Sequence, residues 1–491
     1  MQTGTLVTLA LYFIAMLGIG LYAWRRSSAT SEGYLLAGRS LSPSVTALSA
    51  GASDMSGWLL LGLPGALYVA GLSAAWIGIG LTLGALANWI LVAPRLREQS
   101  EARGNALTIP EFLANRFPDS ATALRVTSAV VIVLFFTVYT ASGLVAGGKL
   151  FETAFADLLP RGLGLSPYIA GVAITLAVVL AYTMIGGFLA VSLTDFVQGV
   201  IMLLALVVMP LVIMFGPGGS AGASIAAVPV PGFLSLTQGM TLLGFLSAVT
   251  WGLGYFGQPH IIVRFMAIRS VKDIPVARAI GMVWMVLCLA GAVGVGLAGR
   301  AYVERNGLAV ADPETIFILL AQLLFHPLIT GFLYAALLAA VMSTISSQLL
   351  VSSSSLTEDF YRLFLRRDAG EREAVTVGRI CVALVALAAA VIARDPASEV
   401  LGLVAHAWAG FGAAFGPMIL LALTWDRMTG AGAVAGLVTG AAVVAGWIAL
   451  GWDAALPGMS EGLYEIVPGF IAAWLAIVVV SRLTAARSRA E

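Results

Sequence analysis

The chain has 491 residues, a formal net charge of +1, and only 10% charged against 60% hydrophobic residues. Soluble domains carry about 25% charged residues, so this composition excludes a chain clothed in ordinary solvated surface. The near-neutral balance carries no signature of a nucleic-acid partner.

Taken in chain order, the apolar runs read as an all-α membrane protein. A hydrocarbon core of ~30 Å needs about 20 apolar residues per helix. About thirteen segments meet that measure, roughly 4–24, 42–70, 74–94, 123–156, 166–185, 193–216, 238–262, 278–299, 327–357, 374–393, 397–424, 431–450 and 465–485. The runs are too long and too uniform for barrel strands. The first, Leu6 to Trp24, has no basic residue before it and no small-residue cleavage site after it. Arg25 and Arg26 follow at once, so it reads as a retained anchor.

The second segment is interrupted. Ser49-Ala50-Gly51-Ala52-Ser53-Asp54-Met55-Ser56-Gly57-Trp58 places small and polar residues and one acid between apolar halves. The seventh is interrupted too, by Trp251-Gly252-Leu253-Gly254-Tyr255-Phe256-Gly257-Gln258-Pro259-His260. Glycine costs ~1 kcal/mol and proline ~3 kcal/mol inside a helix. Unwound backbone is tolerated at membrane depth only where it is buried in protein or lines a cavity, and there its carbonyls can hold a cation. The two breaks are five segments apart, the spacing of equivalent helices in two five-helix inverted repeats. Close helix packing through small residues is the structural alternative. Asp54 is expensive at membrane depth, and such acids mark ion or substrate pathways.

The ninth segment carries Ala340-Val341-Met342-Ser343-Thr344-Ile345-Ser346-Ser347-Gln348. Most of these hydroxyls can satisfy their own helix backbone. Ser343 and Thr344, being adjacent, can also present two oxygens to one cavity, and hard cations take oxygen ligands. With a single carboxylate nearby, a monovalent ion suits the set better than a divalent one. The loop 216–237 is uncharged and rich in Gly, Ala, Ser and Pro, and reads as flexible or lightly structured. No loop is long enough for a folded soluble domain. Cys288 and Cys381 have no metal-ligand spacing and read as buried thiols.

Lys and Arg favour the cytoplasmic side. With the N-terminus outside, 21 of the 26 basic residues fall on the cytoplasmic side, clustered at 25–39, 95–125, 264–278, 362–379, 427 and 482–489. Lys149, Arg161, Arg300, Arg305 and Arg394 fall outside. The C-terminus is then cytoplasmic.

At these stretches, and at Gly38-Arg39-Ser40-Leu41 and Ala407-Trp408-Ala409-Gly410-Phe411-Gly412, the chain resembles the sodium/solute symporter family, nearest to its bacterial sodium/proline members. The resemblance implies a leucine-transporter-type 5+5 inverted-repeat fold. Residues 1–41 would be an extra N-terminal helix and loop, 42–216 the first repeat, 217–426 the second, and 427–491 two C-terminal helices and a short tail. It implies a bacterial cytoplasmic membrane protein that couples sodium entry to uptake of L-proline, with no required protein partner. It implies sodium ligation by the carbonyls of Ala52, Met55 and Ala340 and the hydroxyls of Ser343 and Thr344, supported by Asp54. Proline would sit beside Ser56, Gly57, Tyr139, Trp251, Tyr255 and Pro259. Proline's compact apolar ring suits aromatic walls, and its charged groups need a few placed polar atoms. Trp and Tyr also serve as packing anchors.

Other readings remain at this point. A proton-coupled symporter would use Asp54 as a proton carrier, and another small solute would fit the same scaffold. A membrane sensor lacks an appended signalling module here. An intramembrane enzyme would want an HExxH pair or a Cys/His cluster, and the three histidines, His260, His326 and His406, form no such motif. His406 reads as a packed polar group. Contacts of Gln258, Gln348 and His406 with the solute are left open.

Overall fold

The computed structural model describes residues 3–26, 33, 36–157, 165–216 and 221–487. Arg161 and Arg489, counted above, lie outside them. Apart from one isolated parallel bridge pairing Leu41 with Ile268, the described residues form no sheet.

The helices are α1 (Thr3–Arg26), α2 (Pro43–Asp54), α3 (Leu63–Ala70), α4 (Ala75–Leu91), α5 (Ala93–Ala102), α6 (Ile109–Arg116), α7 (Ala121–Phe155) and α8 (Pro167–Phe215). They continue as α9 (Leu242–Val249), α10 (Pro259–Ala267), α11 (Ile274–Arg305), α12 (Ile316–Leu324), α13 (Pro327–Ser354), α14 (Glu371–Ile392), α15 (Val400–Thr424), α16 (Gly430–Ala449) and α17 (Ile466–Arg487). Helix starts follow local chemistry. Ser42 caps α2 by accepting from Val45 N–H at 3.4 Å, with Pro43 in the first turn. Thr108 accepts from Glu111 N–H at 3.1 Å while Glu111 accepts from Leu107 N–H at 2.8 Å, which fixes the start of α6.

Ten helical stretches among the described residues are long and apolar enough to cross a membrane. The thirteen expected segments all appear as helix, and the count differs where helices break or join. The segment 42–70 is split by its interruption, and its second half runs on with the third in the stretch Trp58–Ala102. The segment 238–262 is divided into α9, a 3-10 helix Thr250–Gly257 and α10. The fifth appears as the shorter apolar helix Pro167–Ala181 and the sixth as Gly187–Phe215, with Gly187 at φ 61° and ψ −174° marking the kink between them in α8. That conformation is open only to glycine at low cost.

Within the loop 216–237, the described residues 221–237 are more ordered than the composition suggests. A short helix Ala221–Ala226 is followed by turns, and Leu72 N–H donates to Phe233 O at 2.7 Å. Trp76 Nε1 donates to Leu236 O at 2.9 Å, and Phe233 is buried. Backbone bonds and one apolar anchor thus replace the missing charges. Cys288 is buried, whereas Cys381 is only partly so.

Helix α13 is the central element. It packs against α1, α7 and α8, and its middle, Ala335 to Leu350, is buried throughout. The interrupted segments are joined at one end. Leu41 N–H donates to Ala267 O at 3.2 Å, and Arg269 N–H donates to Leu41 O at 3.1 Å. The start of α2 and the end of α10 are therefore one unit.

Candidate functional site

Helix α2 stops at Asp54, and Met55 leaves helical geometry with φ −80° and ψ 79°. A π-helical turn, Trp58–Gly62, restarts the chain toward α3. The ψ of Met55 swings its carbonyl out of the helical ladder, as expected of a backbone that offers oxygen to a cavity.

Opposite this break lies α13. Ser343 Oγ donates to Ala52 O at 2.7 Å and to Ala340 O at 3.1 Å, and Thr344 Oγ1 donates to Ala340 O at 3.1 Å. Four of the five expected sodium-ligand oxygens therefore converge from two helices almost 300 residues apart in sequence. The fifth, the Met55 carbonyl, follows Ala52 by three residues at the break. Ala52, Met55, Ala340, Ser343 and Thr344 are all buried. Neutral oxygens alone, without a carboxylate among these five, suit a monovalent cation better than a divalent one.

Asp54 is the hub beside this cluster. Its carboxylate accepts from Tyr255 Oη. Its backbone carbonyl accepts from Tyr139 Oη and from Trp58 Nε1, each at 3.2 Å. The second carboxylate oxygen, Oδ1, has no hydrogen-bond partner among the described residues. A buried carboxylate oxygen without a partner is costly, and Asp54 lines a small cavity together with Met55, Asn88 and Tyr255.

The aromatic candidates come together in part. Tyr139 and Tyr255 meet at Asp54, and Tyr255 lies edge-on to Trp408 at 5.0 Å. Trp408 Nε1 donates to Trp251 O at 2.7 Å, and Gln258 Nε2 donates to Trp408 O at 3.2 Å. Gln258 Oε1 has no partner among the described residues. Gln348 accepts from Thr140 Oγ1 at 3.2 Å. Trp251 is stacked on Tyr464 at 5.2 Å. Ser56 and Gly57 are buried just past the break. A Cβ on Gly57 would sit 2.7 Å from that of Ala146, so close packing alone accounts for this glycine. Pro259 begins α10 and lines a different, small cleft with Thr108, Phe188, Val263 and Ser355.

Three features escaped the sequence. Arg264 is buried, not placed at a loop surface as the charge count assumed. Its Nη2 lies 3.0 Å from Asp195 Oδ2 and 2.6 Å from Ser347 Oγ, and its Nε lies 3.0 Å from Ser49 Oγ. Lys149 is likewise buried, with Nζ 2.7 Å from Asp312 and 2.8 Å from Glu314. Glu314 also accepts from the N–H groups of Val400 and Leu401 at 2.8 and 2.9 Å, capping α15. Trp408 was noted only as part of a motif. For the charges the signal was present, since Asp195 and Lys149 stand inside apolar segments, where ionisable residues are rare. Their partners were not readable.

With this geometry in hand, the comparisons are specific. Residues 34–440 match the sodium:solute symporter family. The chain is 54% identical over 477 residues to the high-affinity proline transporter of Bacillus subtilis, covering 97% of each chain. It is 50% identical over 493 residues to the osmoregulated proline transporter of the same organism, covering 100% of this chain and 97% of that one. It is 51% identical over 485 residues to a sodium/proline symporter of Staphylococcus aureus, covering 98% and 93%. Among solved structures, a Na+-coupled sialic acid symporter in a substrate-bound outward-open state superposes with a TM-score of 0.78 at 18% identity, covering 98% of both chains. A nucleobase-cation-symport-1 family transporter gives 0.56 at 15% identity, covering 92% of this chain and 94% of that one. The fold is the leucine-transporter type, in a multi-pass membrane protein. The chain belongs to the sodium:solute symporter family.

Proposed function

We propose that this chain couples inward sodium movement to uptake of L-proline by alternating access. The observation that carries the reading is the approach of Ser343 Oγ to Ala52 O at 2.7 Å, beside Thr344 and Ala340, where α2 breaks. Full-length relatives at 50–54% identity whose names specify proline support the solute.

In this reading sodium is a transported substrate held by the carbonyls of Ala52, Met55 and Ala340 and the hydroxyls of Ser343 and Thr344. Asp54 orients the break through Tyr255 and does not ligate the ion. Proline lies against Ser56, Gly57, Tyr139, Trp251 and Tyr255, with Pro259 toward the α10 side. Sodium exchanges the Ser343–Ala52 hydrogen bond for shared coordination, tying α2 to α13 and favouring the proline-binding form. By linkage, proline raises sodium affinity by the same factor. One sodium ion crossing 100 mV gains ~2.3 kcal/mol, and a tenfold gradient adds about 1.4 kcal/mol. At one-to-one coupling these support roughly 500-fold accumulation.

The repeats run over residues 42–216 and 217–426, flanked by an N-terminal helix and two C-terminal helices. The chain sits in the bacterial cytoplasmic membrane with its N-terminus outside and its C-terminus in the cytoplasm. The excess of Lys and Arg on the assigned inner side supports this orientation.

The test is uptake of labelled proline into proteoliposomes under an inward sodium gradient, then with potassium in its place. Uptake with sodium alone is the expected result. Uptake driven by a proton gradient alone would reject sodium coupling, and no uptake under either gradient by folded protein would reject proline.

A further inference from the structure

The connector 450–465 between α16 and α17 is a built turn. Gly451 and Gly458 take φ of +68° and +77°. Leu456 N–H donates to Glu461 O at 2.9 Å, and Leu463 N–H donates to Trp452 O at 3.1 Å. This closure brings Asp453, near its start, and Glu465, at its end, to His406 on α15. His406 Nδ1 lies 2.8 Å from Glu465 Oε1, and one ligand atom from each of the three residues lies within 4.8 Å of the others. Glu465 is 1% exposed, whereas His406 and Asp453 are partly open. The cluster therefore has a buried floor and an accessible mouth.

Two carboxylates facing one imidazole keep a net negative charge even when the imidazole is protonated, and one of them is buried. A divalent cation balances that charge. The donor set selects the class. Zinc takes His nitrogen and Asp or Glu oxygen at ~2.0–2.2 Å, often with three protein ligands and a water. Magnesium and calcium prefer all-oxygen sites. Ligands ~2.1 Å from a tetrahedral centre stand about 3.4 Å apart. His406 and Glu465 stand 2.8 Å apart and all three ligand atoms lie within 4.8 Å of one another, so side-chain adjustment is enough to reach that spacing.

The surroundings give the site a consequence. Tyr464, next to Glu465, stacks on Trp251 at 5.2 Å and 25°. Its hydroxyl donates at 2.8 Å to the carbonyl of Ala405, the residue before His406. The same junction thus carries the metal-ligand set on one side and the candidate solute wall on the other.

We infer that His406, Asp453 and Glu465 form a regulatory site for a divalent transition-metal cation of the zinc class. Occupancy clamps α15 to the 450–465 connector behind Trp251 and slows transport. The site uses none of the residues proposed for sodium or proline.

Calorimetric titration of the purified full-length protein in detergent with zinc chloride tests the site. One zinc per chain is expected, with no binding heat from magnesium chloride. Asp453→Asn and His406→Gln should each weaken zinc by about tenfold or more. In proteoliposomes, zinc should inhibit proline uptake, a chelator should restore it, and Asp453→Asn should resist inhibition while transporting normally without metal. No zinc binding to the wild type, or unchanged affinity in both variants, overturns the site. Binding without inhibition overturns the clamp. The calorimetric arm requires no transport, so it decides the site even if proline is not the solute.

Discussion

Ser343 Oγ donates to the backbone carbonyl of Ala52 at 2.7 Å, so the hydroxyl of one helix occupies the carbonyl left free by the break in another. The same hydroxyl reaches Ala340 O at 3.1 Å. In the proposed reading, this shared cage of oxygens is where sodium would act on two helices at once.

The cage predicts graded effects of hydroxyl loss. Ser343→Ala removes an oxygen that touches both helices, while Thr344→Ala removes one that touches Ala340 alone. The sodium concentration for half-maximal uptake should rise in both variants, more steeply in Ser343→Ala and by tenfold or more, about 1.4 kcal/mol. Sodium titration of initial uptake rates measures this.

Tyr255 is the partner of the Asp54 carboxylate, whose other oxygen has none among the described residues. Tyr255→Phe leaves a buried carboxylate without its donor, which costs about 1–3 kcal/mol. Uptake should fall severalfold or more, with the thermal midpoint in detergent lowered. Wild-type uptake in Tyr255→Phe would show that the pair is dispensable.

Arg264 and Asp195 are both buried, at 1% and 0% side-chain exposure. Removing one partner of a buried pair costs about 3–5 kcal/mol, whereas replacing both with apolar residues is often neutral. Arg264→Met should therefore destabilise the protein strongly, and Arg264→Met with Asp195→Leu should recover much of the loss. Thermal unfolding of the single and double variants in detergent gives the comparison.

Glu314 joins three parts of the chain: Lys149 on α7, the segment before α12, and the first N–H groups of α15. An anion at a helix N-terminus is stabilising. Glu314→Ala removes the cap and leaves Lys149 with Asp312 alone, whereas Glu314→Gln keeps an acceptor. Loss of stability should be larger in Glu314→Ala by about 1 kcal/mol, the typical cost of a lost cap. Equal midpoints for the two variants would contradict the capping role.

The two breaks were legible because their causes are local. Glycine, proline and an acid inside apolar runs oppose a continuous membrane helix whatever surrounds them. Ser343 and Thr344 stood out as candidates because adjacent hydroxyls in such a run are conspicuous. Arg264 was misplaced because a charge near the end of an apolar segment looks like a loop residue until its partner is known. That partner, Asp195, is 69 residues away. Lys149 and Glu314 are 165 residues apart, and His406 and Glu465 are 59 apart. Such pairs are created by helix packing, and no periodicity in either segment announces them. The span count was blurred at Gly187, where one glycine decides whether two apolar runs separate or join.

The most direct test of the account is proline binding to the purified protein, measured by calorimetry with sodium and with potassium, in wild type and in Ser343→Ala/Thr344→Ala. The account predicts that sodium tightens proline binding about tenfold or more in wild type, within the usual range of coupling energies, and that the double variant loses this effect while still binding proline. An undiminished sodium effect in the double variant would contradict it.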